Sequence, residues 1–157
     1  MVNIQLPDDK RLPVNLLSAS FNKVSATYKF YWLLSVIQEV EQGKNNFIPK
    51  INLFSRMVSN AWYTVNYFHV SFGKQDLIQD AIMKISEITK ITVEEKKEVV
   101  YQKLVNSQND QLKGILWHFN KQVPHWFLSP WLPKTGNEKD SIREKRIYDK
   151  SKSFYNQ

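Results

Sequence analysis

From Tyr28 to Phe119 the apolar residues of this chain recur at three- and four-residue intervals, the spacing that gathers side chains onto one face of an α-helix. Tyr28, Trp32, Val36 and Val40 predict a first helix, capped by Ser25 and stopped at Gly43. After a polar loop at 44–50, Asn52 can cap a long helix running to Gly73, its buried stripe traced by Phe54, Val58, Ala61, Val65, Phe68 and Phe72. Trp62, Tyr63, Tyr67 and His69 make that helix aromatic over much of its circumference, as suits the central element of an α domain. The stretch from Gly73 to Asp76 allows only a tight reversal or a kink. Asp76 then caps a third helix to about Thr89 that presents Leu77, Ile78, Ala81, Ile82, Ile85 and Ile88. Thr92 and Glu95 stand at capping-box spacing ahead of a fourth helix, roughly Val93 to Val105. Ser107 or Asn109 opens a fifth, with Leu112, Ile115, Leu116 and Phe119, which stops before Pro124.

No alternating run is long enough for a substantial sheet, and four glycines and six prolines are few for a turn-rich β fold. The expected fold is all-α, a single domain of about five helices at 1–133. An aromatic, proline-containing segment should pack across the bundle, and 134–157 reads as a charged linker or the start of a following domain. A chain of 157 residues can bury roughly 70% of its unfolded surface without staples. Before the first long helix, Pro7 and Pro13 suggest an extended arm, and VNLLSASF a short helical turn. Beyond Pro124 the prolines at 130 and 133 predict extended or turned chain. Ile142, Ile147, Tyr148 and Phe154 are the docking points of the tail.

The absence of cysteine excludes disulfides, thiolate zinc sites and a cysteine nucleophile, and is compatible with a reducing compartment. The longest apolar stretch, Phe30 to Ile37, is broken by Ser35 and too short to span a bilayer. A cytoplasmic protein with no membrane partner is therefore expected. The net charge of +7 suits a polyanion, but also an ordinary lysine-rich surface. Residues 134–157 carry seven Lys/Arg against four acids, a net +3, and the rest is spread over the body.

Three histidines invite a metal or acid-base reading, yet His118 and His125 are seven apart across Pro124 and His69 stands alone. Asn60, Tyr63, Asn66 and Tyr67 place amides and phenols together on the long helix, where they can read bases or bridge helices. No Walker or GxGxxG spacing is present. The run WHFNKQVPHWFLSPWLP, from Trp117 to Pro133, serves either as a stacking platform for single strands or as a lid on the core. Its interleaving with Phe127, Leu128 and Leu132 rather than arginines favours the lid. The candidate nucleic-acid contacts are Lys121, His125, Trp126, Trp131, Lys134, Arg143 and Arg146. No catalytic or metal-holding residue stands out.

The strings LPVNLLSASFN, SATYKFYWLLSVIQEVEQGK, LFSRMVSNAWYTVNYFHVSFGKQD and VPHWFLSPWLPK resemble the N-terminal region of a family of bacterial proteins that carry an HNH endonuclease domain at the C-terminus. The resemblance covers about Leu12 to Lys134. It implies a helical accessory or recognition domain that helps to position DNA or to regulate the nuclease. The nuclease half would follow Gln157 as a further part of the same polypeptide. A divalent metal such as Mg belongs to that half, so no cofactor is expected in this chain. The competing expectation is a protein-interaction or homo-oligomerisation module in which the aromatic segment or the long helix forms a shared apolar interface. An independent enzyme ranks last, because no acid, base, nucleophile or metal set accompanies the histidines.

Overall fold

The structure, a computed structural model, describes residues 13–22, 27–43, 47–73 and 76–155. The expected Ser25 cap, the arm before Pro13, the start of the 44–50 loop and the middle of the 73–76 reversal lie outside them. Among the described residues the fold is all-α, as the periodicity predicts, and contains no strand. The helices are α1 (Val14–Ala19), α2 (Tyr28–Glu41), α3 (Lys50–Asn66), α4 (Leu77–Ile88), α5 (Lys97–Val105), α6 (Asp110–His118), α7 (Val123–Phe127) and α8 (Asp140–Tyr155). Short 3-10 turns occupy Phe119–Lys121 and Ser129–Trp131.

The chain forms two compact units. One is continuous, Ser25–Pro124; the other joins α1 to the chain from His125 onward. In the continuous unit α3 is the central element, packed against α2, α4, α5 and α6. It buries Leu53, Phe54, Met57, Val58, Ala61, Trp62 and Val65. The Phe54 ring meets Trp32, Trp117 and Phe119, each at a centroid distance of 5.8 Å. The Trp62 Nε1–H, which must find an acceptor when buried, donates to the Thr92 carbonyl at 3.0 Å.

Asp76 caps α4, as its position before the apolar face predicts. Its Oδ1 accepts from the Ile78 backbone N–H at 2.9 Å, while Oδ2 accepts from the Thr27 N–H at 2.9 Å and hydroxyl at 2.6 Å. One buried carboxylate thus secures the starts of both α4 and α2. Asp76→Ala removes a cap and two bonds to Thr27 together, and is expected to lower the unfolding free energy by about 2 kcal/mol in urea titrations. Asn109 caps α6 through Leu112 N–H at 3.1 Å. Gly43 ends α2 at φ +79°, a left-handed conformation that glycine adopts without penalty.

Several boundaries differ from the expected ones. α3 begins at Lys50 behind Pro49 rather than behind Asn52, whose side-chain amide donates instead to Glu39 at 3.5 Å. α3 stops at Asn66 rather than Gly73, because His69 takes φ +52° and the Val70 N–H turns back to the Thr64 carbonyl at 3.3 Å. Histidine is among the side chains that tolerate this region, so no glycine marks the stop. α5 begins at Lys97, not Val93. The Glu95 backbone N–H donates to the Thr92 carbonyl at 3.3 Å in a turn, and the Glu95 carboxylate pairs with Lys103 at 2.6 Å instead of folding back as in a capping box. Of the two forms expected of the proline segment it takes the turned one, running through the end of α7 and the second 3-10 turn. Pro124 and Pro130 sit in the opening turns of α7 and the second 3-10 turn, where a missing N–H leaves no bond unmade.

In the second unit the Ser20 hydroxyl, fully buried, donates to the Phe127 carbonyl at 3.1 Å, and Phe21 meets Phe127 edge-on at 5.9 Å. Residues 140–155, within the stretch read as a linker or the start of another domain, form the 16-residue α8. Ile147 is fully buried and Tyr148 meets the His125 ring edge-on at 5.5 Å, whereas Ile142 is exposed. Phe154 lies outside the described side chains.

Candidate interaction surface

The sequence of α2, YKFYWLLSVIQEVE, carries only three charged residues, Lys29, Glu39 and Glu41. Two of the three point inward: Lys29 is 9% exposed and Glu39 is 0% exposed, on the face they share with Trp32 and Ser35. The opposite face is apolar and open to solvent, with Phe30 at 52% exposure and Leu34, Ile37 and Val40 between 40 and 46%. Residues 30, 34 and 37 follow the i, i+4, i+7 rule for one helix face, and Val40 flanks it. α2 is therefore inverted relative to a surface helix, with two of its three charges inside and Phe30, Leu34 and Ile37 outside beside exposed Glu41.

The inward charge has a specific partner. Glu39 Oε1 accepts from Arg56 Nε at 2.9 Å, and Arg56 Nη1 donates to both Glu98 oxygens at 2.6 and 2.7 Å. The Arg56 guanidinium, 1% exposed, lies 3.5 Å over the Tyr101 ring, a cation–π contact. Burial alone would lower its pKa, but hydrogen bonds to Glu98 and Glu39, and the charge of Glu98, hold it above the ordinary arginine value. A guanidinium so placed is a fixed cation that binds α2 and α5 to α3.

A second apolar cluster caps the C-terminal end of α3. Tyr63 and Tyr67 stack at 4.6 Å with an interplanar angle of 10°, and Phe68 meets both edge-on at 5.4 and 5.2 Å. All three are exposed. The amides singled out with them serve the interior: Asn60 exchanges hydrogen bonds with Gln38 at 2.8 and 3.3 Å, and Asn66 accepts from the Ser86 hydroxyl at 3.1 Å.

The residues named as nucleic-acid contacts fall in different settings. Lys121 is exposed at the end of the first 3-10 turn. Lys134 pairs with Asp140 at 3.0 Å. Arg143 donates to the carbonyls of Leu132 at 3.3 Å and Ser129 at 3.2 Å. Arg146 grips Glu138 through two bonds of 2.9 Å and reaches the Pro133 carbonyl at 2.8 Å, which holds the Glu138 carboxyl down at about 2. The two arginines thus fasten α8 to the proline segment. Trp126 and Trp131 are half-buried, Trp126 against His125 at 5.4 Å and Trp131 against Phe127 at 6.3 Å.

His125 is 3% exposed, its Nδ1 makes no hydrogen bond, and burial pushes its pKa down to about 4. The folded chain therefore binds this proton more weakly than the unfolded one, whose histidine keeps a value near 6.5. The stabilisation is complete above pH 6.5 and is lost as pH falls toward 4, by on the order of 2 to 3 kcal/mol. Thermal melts between pH 7 and 4.5 should show this decline, and it should flatten in His125→Phe.

His118 is exposed and lines a cleft of about 280 Å³ between α4 and α6, with Asp80, Lys84 and Gln111 at its rim. Asp80 and Lys84 close on each other there at 2.7 Å. Among the described residues no group of three His, Asp or Glu side chains is placed to hold a metal, and no helix is long and apolar enough to cross a membrane.

Sequence reading missed the outer face of α2. The signal was present in the polar residues: Lys29, Ser35 and Glu39 share a helix face with Trp32, which leaves Phe30, Leu34 and Ile37 on the other. No family model, curated protein or solved structure matches this chain.

Proposed function

We propose that this chain is a helical accessory module that works by binding protein, and that in a nuclease-bearing relative of the kind it resembles it organises the nuclease half. The single observation that carries the binding mode is the inversion of α2. An aliphatic face in water has no stabilising role in an isolated domain, whereas contiguous exposed apolar surface is the usual mark of a protein contact. The exposed Tyr63, Tyr67 and Phe68 cluster adds side chains of the kind enriched at interfaces.

DNA positioning draws on the +7 charge, but Lys134, Arg143 and Arg146 are engaged by Asp140, Glu138 and backbone carbonyls of their own unit. Two measurements test the choice. Fluorescence anisotropy with labelled duplex and single strands at ~50 mM salt, where phosphate contacts are strongest, is expected to show no salt-dependent binding. Binding that weakens with a slope of about −3 or steeper per decade of salt would return the reading to DNA. A photo-crosslinking residue at Leu34 is expected to form adducts removed by protease and untouched by nuclease.

A further inference from the structure

We infer that the cleft between α4 and α6 is a binding site for a free aromatic amino acid, its ring on the apolar floor and its ammonium and carboxylate on the charged rim. The cleft lies within the continuous unit and on elements other than α2, so the site stands whether or not the α2 face binds protein.

Gly114 supplies the first reason. It occupies the middle of the nine-residue α6, where glycine destabilises a helix relative to alanine. Neither usual reason for a glycine applies. Its φ is not positive, and a Cβ at this position would meet no side chain and no neighbouring element within 4 Å. The missing side chain instead leaves the α6 wall of the cleft open. The α4 wall includes Ala81, the smallest residue that this helix buries.

Volume and lining set the class of ligand. About 280 Å³ is nearly twice the ~150 Å³ cavity that holds benzene, which leaves room for one ring and a small head group. The floor is apolar: Ala81 and Phe119 are buried, and Leu77 and Ile115 are half-buried. The charges collect at the rim, where Asp80 and Lys84 stand one turn apart on α4 with Oδ2 and Nζ separated by 2.7 Å. A ligand bearing only an anion or only a cation must break this pair to use either half. A zwitterion need not. The ammonium and carboxylate of an amino acid are held at a comparable spacing by one α-carbon, and can lie head to tail along the pair with each charge beside its opposite. The Gln111 amide and the His118 imidazole offer hydrogen bonds from the other wall. Exposed ion pairs contribute little free energy, so burial of the ring supplies most of the affinity and the pair supplies the selectivity.

L-phenylalanine is the probe, titrated into the ¹⁵N-labelled chain. With only four glycines, the Gly114 amide signal is identified by its loss in Gly114→Leu. The Gly114 and His118 amide signals are expected to shift together, with a dissociation constant on the order of 1 mM. 3-Phenylpropionate and 2-phenylethylamine, which each keep one of the two charges, should bind about fivefold more weakly. Gly114→Ala and then Gly114→Leu should weaken L-phenylalanine progressively, the second by about tenfold or more, while neither lowers the melting temperature. A glycine with a purely structural role would give no such graded loss. Asp80→Asn combined with Lys84→Gln should make the three aromatic probes equal and leave the fold intact, since both side chains are exposed. No shift at about 10 mM L-phenylalanine would overturn the site. Binding of 3-phenylpropionate as tight as that of L-phenylalanine would overturn the zwitterion, and an unchanged affinity in Gly114→Leu would overturn the cleft as its place.

Discussion

Replacing Arg56 by methionine is expected to lower the unfolding free energy by about 3 to 5 kcal/mol, because it breaks the buried ion pair with Glu39. Glu39 is 0% exposed and its bond from Arg56 Nε is 2.9 Å long. Glu98, by contrast, is half open to water, and its loss alone should register well under half as much. The ion pair is not in itself a large source of stability, since taking both charges out of water offsets most of their attraction. The double replacement Glu39→Met with Arg56→Met should therefore recover most of the loss and unfold within about 2 kcal/mol of the parent. Urea midpoints for the two single variants and the double variant check this. A loss below about 1 kcal/mol for Arg56→Met would mean that Glu39 is hydrated in solution.

Phe54→Ala should cost a similar amount, about 3 to 5 kcal/mol, through a different cause. The Phe54 ring is fully buried and is the shared neighbour of Trp32, Trp117 and Phe119, each 5.8 Å away. Truncation removes three aromatic contacts and opens a void among rigid rings that cannot collapse to fill it. Phe54→Leu keeps much of the volume and should lose about half as much. Near-ultraviolet circular dichroism offers a second readout, because Trp32 and Trp117 both lose an aromatic neighbour. An unchanged signal with an unchanged melting temperature would contradict this account of the core.

Local chemistry made several elements legible from the amino-acid order alone. Asp76 and Asn109 each stand immediately before an apolar helical repeat, and each does accept from the backbone two or three residues on. The spacing of Phe54, Val58, Ala61 and Val65 correctly marked the buried stripe of α3. What escaped depends on partners distant in sequence or on ambiguity within one helix. α2 carries apolar residues on both the Trp32 face and the Phe30 face, so their spacing alone does not say which turns inward; Arg56, seventeen residues later, decides it by holding Glu39. The end of α3 rests on a left-handed histidine, a conformation with no residue-type signature. The roles of Arg143 and Arg146 were hidden because their acceptors include the backbone carbonyls of Ser129, Leu132 and Pro133, which any sequence would supply. The composition of 134–157 looked like a linker for the same reason: α8 owes its place to Ile147 and two arginine anchors rather than to a continuous apolar stripe.

The division of the chain into one continuous unit and one assembled from separated segments sets an order of events on the ribosome. α2 to α6 lie within one compact unit at residues 25–124 and can pack on one another as they emerge. α1 is made first yet must wait: Ser20 bonds to Phe127, 107 residues later, and at ordinary synthesis rates that interval is on the order of 5 to 20 seconds. During it, Leu16, Leu17 and Phe21 are exposed to whatever else is nascent, so this short helix is the part of the molecule most in need of protection before its own partner has been translated.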